Sequence, residues 1–162
     1  KVYLSNLAIE LNIINTPGHT LDHISYHSDG KLFCGDTLFA AGCGRLFEGS
    51  AEQLYRSLQS LAELPPTTEI YCAHEYTLHN LQFAATVEPD NKDIQTRLQQ
   101  VRALRQKQQD SLPSVLTEEL KTNPFLRCKQ ASVHRAAENY AKRKLESPID
   151  VFATLRAWKD TF

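Results

Sequence analysis

Three short segments of this 162-residue sequence each place a metal-binding type of side chain directly after an apolar run. His19 lies in TPGHT, Asp36 in LFCGDT and His74 in IYCAHEYT. Imidazole nitrogen and carboxylate oxygen are ligands that zinc, iron and manganese accept. If the three apolar runs are strands of one sheet, their ends can converge. The pattern therefore predicts a metal site made of His19, Asp36 and His74.

Each segment also has a simpler interpretation when it is taken alone. Asp36 could be a turn residue or a helix N-cap, and His74 a hydrogen-bonded structural histidine. His19, His23 and His27 are four residues apart and on a helix would form one zinc-binding stripe. The proline and glycine of TPGHT and the strand-like run that follows argue against this helix. We interpret His23 as a supporting or structural residue and expect His27 at the surface.

The elements that must position these side chains are short strands and one helix. Apolar or alternating runs predict strands at residues 7–14, 24–26, 32–34 and 69–72. Residues 28–30 predict the turn of a hairpin between the second and third of these strands. Leucines at helical spacing predict a helix over 51–61 that ends before Pro65. Strands interleaved with a helix indicate a layered α/β or α+β core.

The sequence changes character after about residue 88, where helical stretches rich in Gln, Arg and Lys are broken by prolines. In residues 91–109 the apolar side chains share one face, and we interpret the basic residues opposite as a solvated surface. We therefore predict two domains: residues 1–88 as part of a layered domain of strands and helices, and residues 89–162 as a helical subdomain.

Composition limits the possible partners. The chain has 18 basic and 19 acidic residues, a net charge of −1, which argues against nucleic acid and anionic membranes as partners. No apolar run approaches the roughly 20 residues of a membrane helix. The four cysteines form no C-x-x-C pair, so we expect buried thiols and a cytoplasmic location. Because the chain lacks methionine, we interpret it as part of a longer polypeptide.

Four motifs, in this order, resemble one enzyme family: TPGHT from Thr16, GDTLF from Gly35, GCGRLFEG from Gly42 and AHEYT from Ala73. They are similar to those of glyoxalase II, the hydroxyacylglutathione hydrolases of the metallo-β-lactamase superfamily. GHT and GD are shared across that superfamily, whereas GCGRLFEG, HEYT and the closing LRAWKD resemble the hydroxyacylglutathione hydrolase branch. The resemblance spans essentially the whole chain, but only the later part of the family's length.

The resemblance implies an α+β fold: the C-terminal part of a metallo-β-lactamase-like αββα sandwich, followed by a small all-helical, glutathione-binding subdomain. The implied reaction is hydrolysis of S-(2-hydroxyacyl)glutathione thioesters, S-D-lactoylglutathione to D-lactate and glutathione, in methylglyoxal detoxification. A hydroxide held between two divalent ions would attack the thioester, with zinc first and iron or manganese as alternatives. His19 would bind the first ion, His74 the second, and Asp36 would bridge both.

The same resemblance implies residues for glutathione binding, namely Arg45, Tyr76, Arg156 and Lys159. Cations suit the carboxylates of the tripeptide. Asn80 is a weaker candidate, and Phe47 stands where the family can carry tyrosine, so it offers no phenolic hydrogen bond. The alternative, also if the resemblance holds, is that Arg156 and Lys159 are solvated charges on the last helix.

One motif of the family, H-x-H-x-D-H, does not occur in this sequence. It supplies four of the seven protein ligands, so the three that remain should bind metal weakly. We also expect an uncovered apolar sheet face that aggregates, swaps or needs a partner fragment. The activity is therefore assigned to the full-length protein. A single-iron, persulfide dioxygenase-like member of the superfamily and a non-catalytic fragment remain as alternatives.

Overall fold

The computed structural model describes residues 1–162. The strands are β1 (Val2–Leu4), β2 (Ile9–Asn15), β3 (Ile24–Ser28), β4 (Lys31–Gly35), β5 (Leu38–Phe39), β6 (Gly42–Cys43), β7 (Glu69–Cys72) and β8 (Ser114–Val115). The helices are α1 (Ala51–Ala62), α2 (Thr77–Val87), α3 (Lys92–Gln106), α4 (Leu116–Thr122), α5 (Ala131–Ala141) and α6 (Pro148–Asp160). A single 3₁₀ turn links β1 to β2. None of the helices has the length and apolar character needed to cross a membrane.

Strand direction decides where the predicted site residues meet. Six strands form one sheet in the order β1-β2-β3-β4-β7-β8, and β5 and β6 form a separate hairpin. β3 is antiparallel to both β2 and β4, whereas β4 is parallel to β7. β2, β4 and β7 therefore run in the same direction. Their carboxyl ends, which precede His19, Asp36 and His74, lie at the same edge of the sheet.

Helix α1 crosses between β4 and β7 and covers one face of the sheet. Ser50 caps it, since its side chain accepts from the amide of Gln53 while the Gln53 side chain accepts from the Ser50 amide. Leu54, Leu58 and Leu61 are fully buried in the main core. The predicted helix over 51–61 is thus confirmed to within one residue.

The opposite face of the sheet is open. Cross-strand pairing aligns Ile13, Tyr26, Phe33 and Tyr71 in one row, with Phe33 and Tyr71 stacked at 5.2 Å between ring centroids. Phe33 is 43% exposed, whereas its neighbours Leu32 and Cys34 on the other face are fully buried. Both faces of the sheet therefore carry apolar side chains, and only one of the faces is covered.

The helical region joins the sheet and the rest of the core. β8 pairs antiparallel with β7, through Ile70 and Ser114. This strand is not predicted from the sequence, because two residues are too few to show an alternating pattern. The helix predicted over 91–109 is Lys92–Gln106, capped by Asn91. Helix α6 packs against α1, where the rings of Tyr55 and Phe152 are 5.9 Å apart. The division into domains at residue 88 stays a prediction.

Candidate metal and anion site

One pocket of about 540 Å³ lies at the carboxyl edge of the sheet. It is lined by His19, Asp36, Phe39, Cys43, Gly44, Arg45, Phe47, His74, Tyr76, His79, Asn80, Arg156 and Lys159. All seven residues that the sequence analysis selected are in this set. The metal-type donors and the cationic side chains therefore face the same cavity, although they come from positions up to 140 residues apart.

His19 is held in a defined orientation by the backbone of the loop that follows β6. Its Nδ1 lies 2.8 Å from the carbonyl oxygen of Arg45. Because a carbonyl oxygen only accepts, Nδ1 must carry the proton, and the lone pair of Nε2 is left free. The TPGHT turn itself is packed against α1, since a Cβ on Gly18 would lie 2.5 Å from that of Leu54. His19 is thus prepared to bind a cation through Nε2.

Asp36 and His74 form the closest pair of donors. Asp36 Oδ1 lies 3.4 Å from His74 Nε2. Asp36 follows Gly35, whose φ of 51° produces the turn at the end of β4. The donor types suit a divalent cation, but no three His, Cys, Asp or Glu side chains lie close enough to hold one by themselves. By number, these residues do not fit a complete metal site and represent only part of a ligand set.

His23 supports the turn that carries Asp36. The Asp36 amide donates to His23 Nε2 at 3.2 Å, so Nε2 is unprotonated. The proton therefore lies on Nδ1, which is 3.0 Å from the hydroxyl of Thr37 and 3.2 Å from that of Thr16. Burial, and then the neighbouring His19, lower the pKa of His23. The ring is thus neutral and joins the ends of β2 and β4.

His27 differs from expectation. It is half-buried in β3, and its Nε2 is buried without a hydrogen-bond partner. The prediction of a surface position is therefore wrong. The three histidines do not share a helix, because His19 lies in a loop and His27 in a strand.

The cationic end of the pocket is formed by α6. Arg156 is only 5% exposed and donates from Nη1 to the carbonyl oxygen of Cys43 at 2.9 Å. Its Nη2 donates to Asp160 at 3.1 Å, and its Nε is buried without a partner. Arg45 Nε lies 3.6 Å from the same Asp160 carboxylate. One carboxylate is thus shared by two guanidinium groups, which leaves the cluster positively charged.

Lys159 adds a third cation without a carboxylate partner. It is 9% exposed, and its Nζ lies 5.4 Å from the ring centroid of Phe83 and 5.2 Å from that of Phe162. Burial, followed by the charges of Arg156 and Arg45, lowers the pKa of Lys159 to about 8. The interpretation of Arg156 and Lys159 as solvated surface charges is wrong, because both side chains are buried.

Two protein family models match consecutive parts of the chain. The family model for the metallo-beta-lactamase superfamily matches residues 4–74. The model described as "Hydroxyacylglutathione hydrolase C-terminus" matches residues 75–162, which is more than half of the chain. The chain belongs to the hydroxyacylglutathione hydrolase family.

Curated relatives of this family are similar along nearly all of the chain. A hydroxyacylglutathione hydrolase of Aeromonas salmonicida is 59% identical over 95% of this chain and 61% of that protein. Those of Nitrosomonas europaea and Pseudomonas fluorescens are 50% and 54% identical, each over 96% of this chain. The chain spans about 60% of the length of these relatives.

Solved structures share the fold. ETHE1 from Myxococcus xanthus matches with a TM-score of 0.51 and 24% identity, over 94% of this chain and 54% of that one. A metallo-beta-lactamase from Staphylococcus aureus matches with a TM-score of 0.52 and 21% identity, over 96% of this chain and 40% of that one. The predicted α+β, metallo-β-lactamase-like fold with a helical subdomain at its end is thus confirmed.

His79 lines the pocket of this hydroxyacylglutathione hydrolase family member but was not selected from the sequence. It lies in the first turn of α2, and its ring is 5.5 Å from that of Phe162. Its spacing of five residues from His74 does not predict a shared site, because only the direction of the helix brings both side chains into one cavity. Phe47 is 69% exposed and lies 4.7 Å from the His19 ring. Asn80, a weaker candidate, is buried and donates to the carbonyl of Ala40 at 3.0 Å.

A second cleft, of about 770 Å³, lies between the end of α2, α5 and α6. It is larger than the pocket described above, but histidine and cysteine are absent from its lining, and its buried Glu88 is already paired with Arg127 at 2.8 Å. The histidines and the aspartate selected from the sequence thus lie in the smaller pocket.

Proposed function

We propose that the complete protein, with the length of the curated relatives, hydrolyses S-(2-hydroxyacyl)glutathione thioesters, and S-D-lactoylglutathione first among them. The observation that carries the proposal is the pocket of about 540 Å³, which is lined both by metal-type donors and by three cations. Relatives that are 50–59% identical and named hydroxyacylglutathione hydrolase support it. Because the chain covers about 60% of those proteins, the activity belongs to the complete protein.

His19, Asp36 and His74 would contribute part of the ligand set of a divalent metal centre, with zinc as the first choice. Bound metal ions of this kind activate water near neutral pH and polarise the thioester carbonyl. The part played by this chain is to fix the donors. The Arg45 carbonyl orients His19, and His23 holds the turn that carries Asp36. Oriented donors lose less entropy on binding a metal than mobile ones do.

The cationic end of the pocket would bind the carboxylates of glutathione. Arg156 has an unpartnered buried Nε, and Lys159 has no carboxylate partner. Arg45 and Arg156 share the single carboxylate of Asp160, so one positive charge of the pair is not neutralised by the protein. A carboxylate of the ligand would be attracted to this charge. Tyr76, which is 51% exposed and stacks on His74, would offer its hydroxyl as a hydrogen-bonding group to the same ligand.

The chemistry of a thioester fits this pocket because the leaving group is a thiolate. A thiol has a pKa of about 8.5, so the thiolate departs near neutral pH without a proton donor. An amide or an alkyl ester would require a general acid. A reducing compartment that contains glutathione, such as the cytoplasm, agrees with four cysteines that form no disulfide.

The test is hydrolysis of S-D-lactoylglutathione by the complete protein loaded with zinc. We expect Asp36→Ala to lower kcat/KM by at least about 100-fold, because it removes a ligand of the centre. Asp22→Ala is the matched control, since Asp22 is an exposed carboxylate near the same edge and does not line the pocket. Its rate should stay near that of the unsubstituted protein.

Other outcomes would point elsewhere. Turnover that survives Asp36→Ala would contradict the proposal. Oxygen consumption with a persulfide substrate and one bound iron would favour the dioxygenase alternative. The 162 residues alone are expected to give no turnover with added zinc, because their ligand set is incomplete.

A further inference from the structure

A buried carboxylate in α4 forms the centre of a hydrogen-bond network. Glu119 is completely buried, and its Oε1 accepts from Arg97 Nη2 at 2.6 Å and from the hydroxyl of Ser114. Its Oε2 accepts from the amide of Ala41 at 2.8 Å and from Asn123 Nδ2 at 3.0 Å. All the hydrogen-bonding capacity of this carboxylate is used inside the protein. A buried carboxylate is costly unless it is fully paired. Movements that break any of these hydrogen bonds are therefore unfavourable.

The target of this network is the hairpin formed by β5 and β6, together with the loop after it; residues 38–45 are called the site hairpin below. Ala41 lies at its turn with a φ of 56°, an unfavourable conformation for a residue with a side chain. The Glu119 carboxylate holds the amide of this residue. Asn123 Nδ2 also donates to the carbonyls of Phe39 at 3.2 Å and Gly42 at 2.9 Å. Helix α4 and the residue after it thus bind the hairpin through its backbone.

The site hairpin in turn contacts the metal-type donors. The amide of Gly44 donates to the carbonyl of Thr37 at 3.2 Å, and a Cβ on Gly44 would collide with the carbonyl oxygen of Asp36. The carbonyl of Arg45 receives the Nδ1 proton of His19. A displacement of the hairpin would therefore change both the tautomer of His19 and the place of the Arg45 side chain.

We propose that Glu119 is a positioning residue of the site, acting with Arg97 and Asn123 through the site hairpin. It touches neither the donors nor the pocket. Its carboxylate fixes the strained turn at Ala41, and this places the Arg45 carbonyl against His19. The helical region thereby contributes to the geometry of the donors at the sheet edge. The consequence for catalysis rests on the proposed function, whereas the hydrogen bonds themselves do not.

The first measurement is amide hydrogen exchange in the complete protein, in its metal-free form. In Glu119→Gln we expect the amides of the site hairpin, Ala41 first, to exchange faster by roughly tenfold or more, because a buried acceptor is lost. Amides at the centre of α1, such as that of Leu58, should be unchanged. Glu118→Gln is the matched control. Glu118 also lies beside Arg97, with 3.3 Å between Nε and Oε2, but its side chain is 43% exposed and does not reach the hairpin.

The second measurement separates positioning from general stability. Long-range ¹H–¹⁵N spectra of the imidazole rings, recorded at a pH at which the rings are neutral, report the tautomer of His19. The unsubstituted protein and Glu118→Gln should show the Nδ1–H form alone, and Glu119→Gln a mixture of both tautomers. In the catalytic assay, kcat/KM should fall by about tenfold in Glu119→Gln only.

Several results would overturn the inference. An unchanged His19 spectrum would do so, and so would equal acceleration of exchange in the hairpin and in α1, since Glu119 would then stabilise the whole fold. If Glu119→Gln does not fold, Asn123→Ser is tested by the same two measurements, hydrogen exchange and the imidazole spectrum. Serine removes the amide donor and keeps an acceptor for the amide of Phe125. A complete protein without thioesterase activity would contradict the proposed function and leave both spectroscopic results valid.

Discussion

At the scale of single residues, burial controls the charge of Lys159. Its ammonium lies between two aromatic rings and beside Arg156, and its pKa falls to about 8, from 10.5, through desolvation first and neighbouring cations second. The side chain is therefore charged at neutral pH and becomes neutral within the range in which most enzymes are still folded. A carboxylate bound next to it would raise this pKa again.

This leads to a prediction for the pH dependence of glutathione binding. Lys159 is protonated below about pH 8 and loses its charge as the pH rises through that value. We expect the affinity of the complete protein for S-methylglutathione, a ligand that is not hydrolysed, to fall by roughly tenfold between pH 7 and pH 9.5. Isothermal titration calorimetry at several pH values measures this affinity.

Lys159→Arg is the control for other groups that titrate in this range, including the amino group of the ligand. Arginine stays charged throughout, so the affinity of this variant should change much less over the same interval. Equal pH dependence in both proteins would contradict a role for Lys159 in anion binding.

At the scale of elements, the site hairpin fits its surroundings because it has no side chain at two positions. A Cβ on Gly42 would meet the amide group of Asn80, and one on Gly44 would collide with the carbonyl oxygen of Asp36 and approach His19 Nδ1 to 3.2 Å. Backbone atoms cannot move aside as the end of a flexible side chain can. The turn that carries Asp36 is thus packed directly against the hairpin.

Gly44→Ala should therefore displace the Asp36 turn. We expect the zinc affinity of the complete protein to fall by about 10- to 100-fold, an effect typical of lost support around metal ligands. Competition with a chromogenic chelator measures the affinity. Stability should fall as well, because the clash involves backbone atoms.

Gly30→Ala supplies the comparison. Gly30 has a φ of 73° in the β3–β4 turn, and a Cβ there would meet no atom within 4 Å beyond the adjacent residues. Alanine there should cost about 1 kcal/mol of unfolding free energy through backbone strain alone. Its zinc affinity should equal that of the unsubstituted protein. A matching loss of zinc affinity in both variants would show that general destabilisation is responsible.

At the scale of the whole molecule, the sheet is covered on one side only. Helix α1 and the main core bury Leu32 and Ile70, whereas Phe33 and Ile13 on the other face are 43% and 40% exposed. A cleft of about 790 Å³ lies on the same side, and 7 of its 13 lining residues are hydrophobic, among them Ile9, Leu11 and Phe33. Exposed apolar side chains grouped in this way promote association.

We predict that the 162 residues on their own self-associate in solution through this face. Phe33→Lys should shift the population toward monomer, because a charge in the middle of the row must be desolvated in any complex. Sedimentation velocity at several protein concentrations measures the distribution. Leu120→Lys, at an apolar position of α4 that is 36% exposed, should leave the distribution unchanged. A monomeric unsubstituted chain would contradict the prediction.

Local sequence features were sufficient for β2, β3, β4 and β7, for the turn and for the donor types, but not for the short strands β1, β5, β6 and β8. Residues 28–30 form the β3–β4 turn as predicted, with φ of 50° at Asp29 and 73° at Gly30. Residues 69–72 form β7 as predicted. These features depend on neighbours in the sequence, where periodicity and turn chemistry carry information. β8 was missed because its pairing with β7 is a long-range property of two residues.

The sequence by itself determined that His19, Asp36 and His74 each follow a strand-like run, and its motifs determined the family. Only the tertiary structure decided that these strands share a direction, that Arg156 and Lys159 are buried, and that a carbonyl orients His19. Glu119 reaches Ala41 across 78 positions, and Arg156 reaches Cys43 across 113. Contacts over such separations depend on how the layers pack, and no local pattern of residues specifies that packing.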